Sequence, residues 1–239
     1  MSGHSKWHNI KHQKGRKDAQ RAKVFTKLGR ELTIAARDGG GDPDMNPTLR
    51  LAIERARAQN MPNTNIDRAI KRGTGETKGD NLESYLYEGY GPGGIPLLIQ
   101  TITDNRNRTV SDIRYILDHN GGQLADPGSV TYQFKERGVL YATPTEDVDN
   151  ETVELEAIDA GANDLLWHEG ILRIVVPREK LHVTRQTLEE SSALTINDAG
   201  IEWMAKSPIS DPHDAALSRL LEDLDDNDDV VDIYTPFNE

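Results

Sequence analysis

The charged residues of this chain are divided unevenly along its length. Residues 1–79 contain 17 Lys and Arg against 8 Asp and Glu, whereas residues 80–239 contain 11 against 32. The 239-residue chain therefore joins a segment of net charge +9 to one of net charge −21. This division predicts a basic N-terminal module followed by acidic ones, so that polyanions meet one end of the protein and are repelled by the rest.

The composition excludes several classes of protein. The chain has no cysteine, which removes disulfide frameworks, cysteine-ligated zinc, iron–sulfur clusters and thiol nucleophiles. Its apolar runs are far shorter than the ~20 residues that a membrane-spanning helix needs. The charged start of the chain also lacks the apolar stretch of a signal peptide. We therefore expect a cytoplasmic protein with no membrane partner.

The basic segment combines an irregular start with helical periodicity. Residues 1–16 are predicted to be a flexible arm, and three amphipathic helices follow it. Asn46 and Pro47 are suited to be the N-cap and the first residue of the second helix. Asn63 is predicted to cap the third helix, with Gly73 as its C-terminal stop. These signals predict a three-helix bundle.

Beyond residue 80 the apolar pattern alternates between strands and helices. Strands are predicted at 82–89, 95–104, 129–134, 139–143, 164–168, 171–176, 201–206 and 230–234, and helices at 108–120, 151–160, 178–191 and 214–224. The order βαββαβ after residue 138 is that of a ferredoxin-like domain. We therefore predict an α+β multidomain protein. Its domains are a basic arm and helical bundle (1–79), a discontinuous α+β domain (80–135 and 208–239) and an inserted ferredoxin-like βαββαβ domain (136–207).

Six short motifs resemble the signature of the YebC family. They are GHSKW at 3–7, NIKH at 9–12, FTKL at 25–28, NMP at 60–62, IKRGTG at 70–75 and TDNRNRT at 103–109. The resemblance runs from end to end and implies a helical bundle, an α+β domain and a ferredoxin-like domain inserted into it. Bacterial members of the family are described as DNA-binding transcriptional regulators and have also been tied to ribosomes stalled on proline-rich segments. Mitochondrial relatives act as translational activators.

The arm and the first helix carry the first candidate site. Their cations outnumber their carboxylates several-fold, and such a stripe neutralises phosphates and releases counterions with little dependence on base sequence. An indole among these cations can stack on an unpaired base. The alternative is an ordinary solvated basic face. The candidate nucleic-acid-binding residues are Lys6, Trp7, Lys11, Lys14, Arg16, Lys17, Arg21, Lys23, Lys27 and Arg30.

The third helix is the second candidate. Together with the second helix and the tight turn between them, it superficially resembles a helix-turn-helix motif. Arg68, Lys71 and Arg72 are predicted to be its exposed cations. The N-terminal end, where a recognition helix reads bases, offers only short polar side chains, and packing of the bundle explains the pattern equally well.

A strand-to-helix turn is the third candidate. Asn105, Arg106 and Arg108 stand just before a predicted helix, whose first N–H groups and nearby guanidinium groups suit a phosphate. In the alternative interpretation Asp104 or Asn107 caps the helix and the arginines lie in solvent. The spacing alone does not separate the two.

Nothing in the sequence predicts catalysis or a cofactor. There is no nucleophile placed beside a base and no serine elbow. His4, His8 and His12 recur every fourth residue, but a basic arm is a poor site for a divalent cation. The acidic run at 223–229 lacks the spacing of a calcium loop. We therefore expect no enzyme, no metal, no cofactor and no small-molecule substrate.

Together with the resemblance, these features predict a nucleic-acid-binding regulator of gene expression, namely a DNA-binding transcriptional regulatory protein of the YebC family. The first alternative is a translation factor that binds the ribosome through ribosomal RNA and relieves stalling on proline-rich segments. A protein–protein adaptor is a weaker alternative. The sequence does not decide between DNA and ribosomal RNA as the target.

Overall fold

The structure is a computed structural model that describes residues 18–78, 81–145, 148–191, 193–210 and 214–237. The helices are α1 (Asp18–Gly39), α2 (Pro47–Ala58), α3 (Asn63–Gly73), α4 (Arg106–His119), α5 (Asn150–Asp159), α6 (Leu181–Ser191) and α7 (Ala215–Asp225). The strands are β1 (Glu83–Tyr90), β2 (Pro96–Thr103), β3 (Gln123–Leu124), β4 (Phe134–Pro144), β5 (Asp164–His168), β6 (Ile171–Pro177), β7 (Leu194–Ala205) and β8 (Val230–Tyr234). The chain forms two compact units, and the second of them is Lys135–Met204.

Helices α1 to α3 form a bundle around an aliphatic core. Leu32, Leu49 and Ile66 are almost completely removed from solvent in it. The predicted start of α2 is confirmed, because the Asn46 side chain accepts a hydrogen bond from the Leu49 N–H at 3.1 Å and a proline occupies the first turn. The predicted arm lies outside the described residues.

The start of α3 differs from the prediction. Pro62 is its N-cap and makes no side-chain capping bond, while Asn63 is already the first helical residue. The helix ends at Gly73 as predicted, but the glycine with left-handed backbone is Gly75, at φ +79°. Gly73 instead allows α3 to pack closely against α1, since a Cβ atom there would lie only 2.8 Å from the Ala36 side chain.

The first unit also contains a four-stranded antiparallel sheet in the order β3-β1-β2-β8. Helices α4 and α7 contribute Ile113, Leu117 and Leu220 to a core that includes Leu97 and Ile99 of β2. The hairpin of β1 and β2 and the helices after residues 105 and 214 agree with the sequence prediction within about two residues.

The strand predicted at 129–134 is wrong. The chain forms a 3-10 turn at Thr131–Gln133 and enters β4 only at Phe134. The reason is Glu88 on β1, whose buried carboxylate accepts hydrogen bonds from the N–H groups of Gly128, Val130 and Thr131 at 2.5 to 2.8 Å. A carboxylate that collects three neighbouring N–H groups bends the chain into a turn, because these groups cannot then pair with a strand.

A small contact joins the bundle to the first sheet. Leu82, Ile102 and Val231 form a buried apolar cluster, and Ile34 of α1 packs against it. The Arg37 guanidinium on α1 also donates a hydrogen bond to the Leu82 carbonyl. Because the apolar part of this contact is small, polar interactions of α1 carry much of the junction.

The second unit is a four-stranded sheet in the order β5-β6-β4-β7. With α5 after β4 and α6 after β6, this is the strand order of the predicted ferredoxin-like βαββαβ fold. The α+β fold class is therefore confirmed. The strand predicted at 139–143 is part of the longer β4, and the one predicted at 201–206 corresponds to the last residues of β7, which ends at Ala205. The division into three domains stays a prediction, because the bundle and the first sheet form one unit.

Candidate nucleic-acid interface

Six of the predicted nucleic-acid-binding residues lie outside the described part of the chain. They are Lys6, Trp7, Lys11, Lys14, Arg16 and Lys17. The three histidines at every fourth position of the arm lie there as well. For all of these residues the sequence-based interpretation stays a prediction.

The cations in the middle of α1 contact an acidic turn, which we define as residues 225–229, from the last residue of α7 to the residue before β8. The Lys23 Nζ atom lies 3.0 Å from Asp226 Oδ1, and the Lys27 Nζ atom lies 2.7 Å from Asp225 Oδ1. Both ammonium groups also donate to backbone carbonyls of the turn. Lys27 is only 5% exposed, so its charge is held inside the unit.

Asp229 closes the acidic turn and gathers further partners. It is buried, and its carboxylate accepts hydrogen bonds from Arg30 at 2.7 Å, from Arg108 at 3.0 Å and from the hydroxyl of Thr109 at 2.7 Å. The Thr103 hydroxyl lies 3.2 Å away and also donates to it. One carboxylate thus links α1, β2 and α4.

The surroundings of Asp229 favour its ionised form. Burial raises the pKa of this carboxyl group, but the Thr109 hydroxyl, the Arg108 guanidinium and the charge of Arg30 lower it by more. The pKa therefore lies below the ordinary value for Asp. The group is a permanent anion near neutral pH, and it neutralises two of the arginines that the sequence assigns to nucleic acid.

Within residues 18–39 the basic stripe that the sequence predicts along α1 is largely paired with carboxylates, and its part in binding nucleic acid stays a prediction. Arg21 is exposed, whereas Lys23, Lys27 and Arg30 are held by carboxylates of the acidic turn. The physical reason is long-range neutralisation, since the partners lie about 200 positions away in the chain. Local charge patterning cannot reveal such partners.

The C-terminal half of α3 presents an exposed group of cations. Arg68, Lys71 and Arg72 are exposed, while Ile66 and Ala69 form the buried side of the helix. Among the residues that the structure describes, these three side chains make no ion pair. Their spacing of three and four positions places them on neighbouring parts of one helix surface. We call these three residues the α3 basic patch.

The two arginines of the turn before α4 have different surroundings. Asn105 is the N-cap and accepts a hydrogen bond from the Arg108 N–H at 3.1 Å, so neither Asp104 nor Asn107 caps the helix. Arg108 contacts the Asp104 and Asp229 carboxylates. Arg106 is exposed, and its guanidinium carbon lies 5.1 Å from the centre of the Tyr85 ring. A cation–π contact holds this arginine at the surface without neutralising it.

The sequence interpretation considered the acidic run as a calcium loop and missed it as an internal partner of α1. The signal that could have found it is charge complementarity between an acid-rich loop and the basic face of α1. No group of three His, Asp or Glu side chains within the described ranges is placed to hold a metal ion. No helix in those ranges is long and apolar enough to cross a bilayer.

Two family models match nearly the whole chain. The model of the TACO1/YebC protein N-terminal domain matches residues 5–76, and that of the TACO1/YebC second and third domain matches residues 82–237. The first match contains α1 to α3 with the α3 basic patch. The second contains both sheets and the acidic turn.

Similar proteins are known over the full length. A "Probable transcriptional regulatory protein" of Halothermothrix orenii is 45% identical, with 100% of this chain and 95% of the relative covered. One of Moorella thermoacetica with the same name is 47% identical, with 98% and 94% covered. The crystal structure of a conserved hypothetical protein from Aquifex aeolicus matches with a TM-score of 0.85 at 40% identity, covering 96% of this chain and 95% of that one.

Proposed function

Because the chain belongs to the TACO1/YebC family, we propose that it is a regulator of gene expression that binds nucleic acid through the α3 basic patch. The observation that supports this role is the contrast between two sets of cations. Lys23, Lys27 and Arg30 of α1 are neutralised within the protein, whereas the side chains of the α3 basic patch face solvent and make no ion pair among the described residues. Solvated cations on one surface are the chemistry that a phosphate backbone requires.

The position of the patch favours recognition of phosphates over recognition of bases. A recognition helix reads base edges with side chains at its N-terminal end. In α3 that end carries Asn63 and Thr64, which are short, and the cations stand in its last two turns. Phosphate contacts fix a protein on nucleic acid but carry no sequence information. We therefore expect binding with little sequence preference from this surface alone.

Two targets follow from this proposal. The names of the relatives make duplex DNA the first target, through a role in transcription. Ribosomal RNA is the second, through a role in translation, and the scarcity of base-reading side chains at the start of α3 favours it. A sequence-specific DNA regulator should prefer one duplex by ~10³-fold or more over random duplex. A ribosome-binding protein should stay bound to ribosomes in the presence of excess random DNA.

The experiment compares two triple variants of the full chain. The test variant removes the α3 basic patch by Arg68→Ala, Lys71→Ala and Arg72→Ala. The control removes three other exposed cations, by Arg114→Ala, Lys180→Ala and Arg219→Ala. We expect the test variant to lose at least about tenfold in affinity for random 30-bp DNA and for ribosomes, because three phosphate contacts are removed. The control should stay within about threefold of the wild-type protein.

The same measurement can refute the proposal. If the wild-type protein binds neither random DNA nor ribosomes at low salt, the proposed function is wrong. If both triple variants lose affinity equally, the affinity depends on the net charge of the protein. The α3 basic patch is then not the binding site, and the proposal is wrong.

A further inference from the structure

The acidic turn covers a cationic surface that has the chemistry of a polyanion site. Lys23, Lys27 and Arg30, which we call the α1 cations, recur at spacings of four and three on one side of α1. Each has its own carboxylate in the turn, at 2.7 to 3.0 Å. Three adjacent cations that each bind one anionic group are the arrangement that a nucleic-acid backbone would meet.

The turn imitates a phosphate backbone in its hydrogen bonding. Each of the α1 cations donates to a carboxylate oxygen of the turn and also to one of its backbone carbonyls, which belong to Asp225, Asp226 and Asp228. A phosphodiester likewise offers one charged group with more than one acceptor oxygen. The contacts are therefore of a kind that a nucleic acid could replace one for one.

Two features favour release of the covering contact, against the mostly buried Lys27–Asp225 and Arg30–Asp229 pairs that release must break. Much of the Lys23–Asp226 pair is open to water, with side-chain exposures of 41% and 76%. Exposed pairs contribute little to stability and weaken with salt. The apolar part of the junction is also small, since it consists of Leu82, Ile102 and Val231 with Ile34 packed against them.

Residues 74–78 follow α3, and the N–H groups of residues 74–77 donate hydrogen bonds to carbonyls of its last turn. Residues 74–78 are exposed, and Gly75 has φ +79°, a conformation that glycine adopts freely. The hydrogen bond from Arg37 to the Leu82 carbonyl lies at the far end of α1 from Lys23. Separation of the acidic turn from the α1 cations would leave this hydrogen bond in place as a pivot.

We propose that the acidic turn competes with nucleic acid for the α1 cations, so that a phosphate backbone gains these cations only by displacing the turn and releasing the bundle from the first sheet. This mechanism rests on the proposed function, because it regulates how tightly the same polyanion binds. The closed arrangement holds a second set of cations in reserve, in addition to the α3 basic patch. Binding is therefore weaker than the total basic charge of the bundle would give.

The first test neutralises the turn. The variant Asp225→Asn/Asp226→Asn is compared with Asp118→Asn/Glu222→Gln, which removes two negative charges from exposed positions of the same unit, one of them close to the turn. Affinity for a 30-nucleotide oligouridylate RNA and for random 30-bp DNA is measured at low salt. We expect the turn variant to bind about three- to tenfold more tightly than the control, because weaker pairs must be displaced. Equal affinities of the two variants would overturn the proposal.

The second test measures the release directly. The chain has no cysteine, so spin labels can be placed at Thr48→Cys on α2 and Ser218→Cys on α7, two exposed sites. We expect bound oligouridylate to add a longer distance between the labels, and the turn variant to show more of it than the control. An unchanged distance with RNA bound would overturn this inference alone. Failure of every variant to bind would overturn the proposed function and this inference together.

Discussion

Asp229 links three elements of the first unit, α1, β2 and α4, through one carboxylate. Its carboxylate is buried and accepts from two arginines and two threonines. Removing one partner of a buried, hydrogen-bonded charge is costly, because the other charges then lose their counter-ion. Asp229 is therefore structural, whatever part the more exposed aspartates of the acidic turn have in binding.

The substitution Asp229→Asn should lower the free energy of unfolding by about 2 kcal/mol. The amide keeps the size of the carboxylate, but its NH2 group cannot accept a hydrogen bond. It leaves Arg30 without its carboxylate partner and Arg108 with only that of Asp104. Asp228→Asn is the matched control, since that side chain is exposed, and it should change stability by less than about 0.5 kcal/mol. Urea unfolding measures both, and equal effects would contradict this role of Asp229.

A second prediction concerns how the contribution of Glu88 to stability depends on pH. Burial raises the pKa of this carboxyl group, but hydrogen bonds from Thr131, Gly128 and Val130 lower it by more, so it lies below the ordinary value. A lowered pKa means that the stabilisation is complete above the unfolded-state pKa, which is about 4.3, and is lost as the pH falls through the folded-state value. Glu88→Gln should thus be less stable than wild type by about 1 to 3 kcal/mol at pH 7.

This difference between wild type and Glu88→Gln should shrink as the pH is lowered from 5 towards 3. Urea unfolding of both proteins at several pH values measures it. A difference that stays constant over this range would show that the charge of Glu88 does not hold the turn that follows β3.

At the scale of elements, the bundle depends on how closely α3 approaches α1. The Thr33 hydroxyl on α1 donates to the Ala69 carbonyl on α3 at 3.1 Å. Near the end of α3 a Cβ atom on Gly73 would overlap the Thr33 carbonyl and lie 2.8 Å from the Ala36 side chain. Only glycine fits here, so Gly73 sets the position of the α3 basic patch on the bundle.

Gly73→Ala should therefore destabilise the protein by about 1 to 3 kcal/mol through overpacking. Gly29→Ala is the matched control on α1, where a Cβ atom would meet nothing within 4 Å. That substitution should stabilise by roughly 0.5 to 1 kcal/mol, because alanine favours a helix interior over glycine. Thermal or urea unfolding measures the change in stability of both variants. Stabilisation by Gly73→Ala would contradict the packing described.

Local signals predicted most elements, and long-range contacts caused the errors. Asn46 and Pro47 predict the start of α2 correctly, because the capping interaction involves only residues within one helical turn. The 3-10 turn at Thr131–Gln133 was mistaken for a strand because Glu88, which bends it, lies more than 40 positions earlier. The pairing of the α1 cations could not be predicted for the same reason, since their neutralising aspartates belong to the end of α7 and the turn after it.

At the scale of the whole molecule, the second unit is a continuous insertion in the first. The chain leaves the first unit after Phe134 and returns at Ala205. The Lys206 N–H donates to the Gln133 carbonyl at 2.8 Å, so the two crossing points are neighbours in space. The fold class could be predicted from periodicity alone, whereas the candidate site could be assigned only after the exposure and pairing of each cation were known.

Replacing Lys135–Met204 by a short Gly-Ser linker should leave the first unit folded, because its ends already meet and its core is separate. The shortened protein should unfold cooperatively and bind random duplex DNA within about threefold of the full chain, as every described residue proposed for binding lies outside the deleted segment. Circular dichroism with urea and fluorescence anisotropy measure these properties. Loss of binding by a folded deletion variant would place part of the interface in the second unit.

The central claim is that the α3 basic patch contacts phosphates while the α1 cations are held by the acidic turn. The most direct test is the salt dependence of binding to random 30-bp DNA, measured for wild type, Arg68→Ala/Lys71→Ala/Arg72→Ala and the control Arg114→Ala/Lys180→Ala/Arg219→Ala. Each lost phosphate contact lowers the slope of log K against log salt by about 0.9. We predict a slope smaller by about 2 to 3 for the first variant and unchanged for the control. Equal slopes for all three proteins would contradict the account.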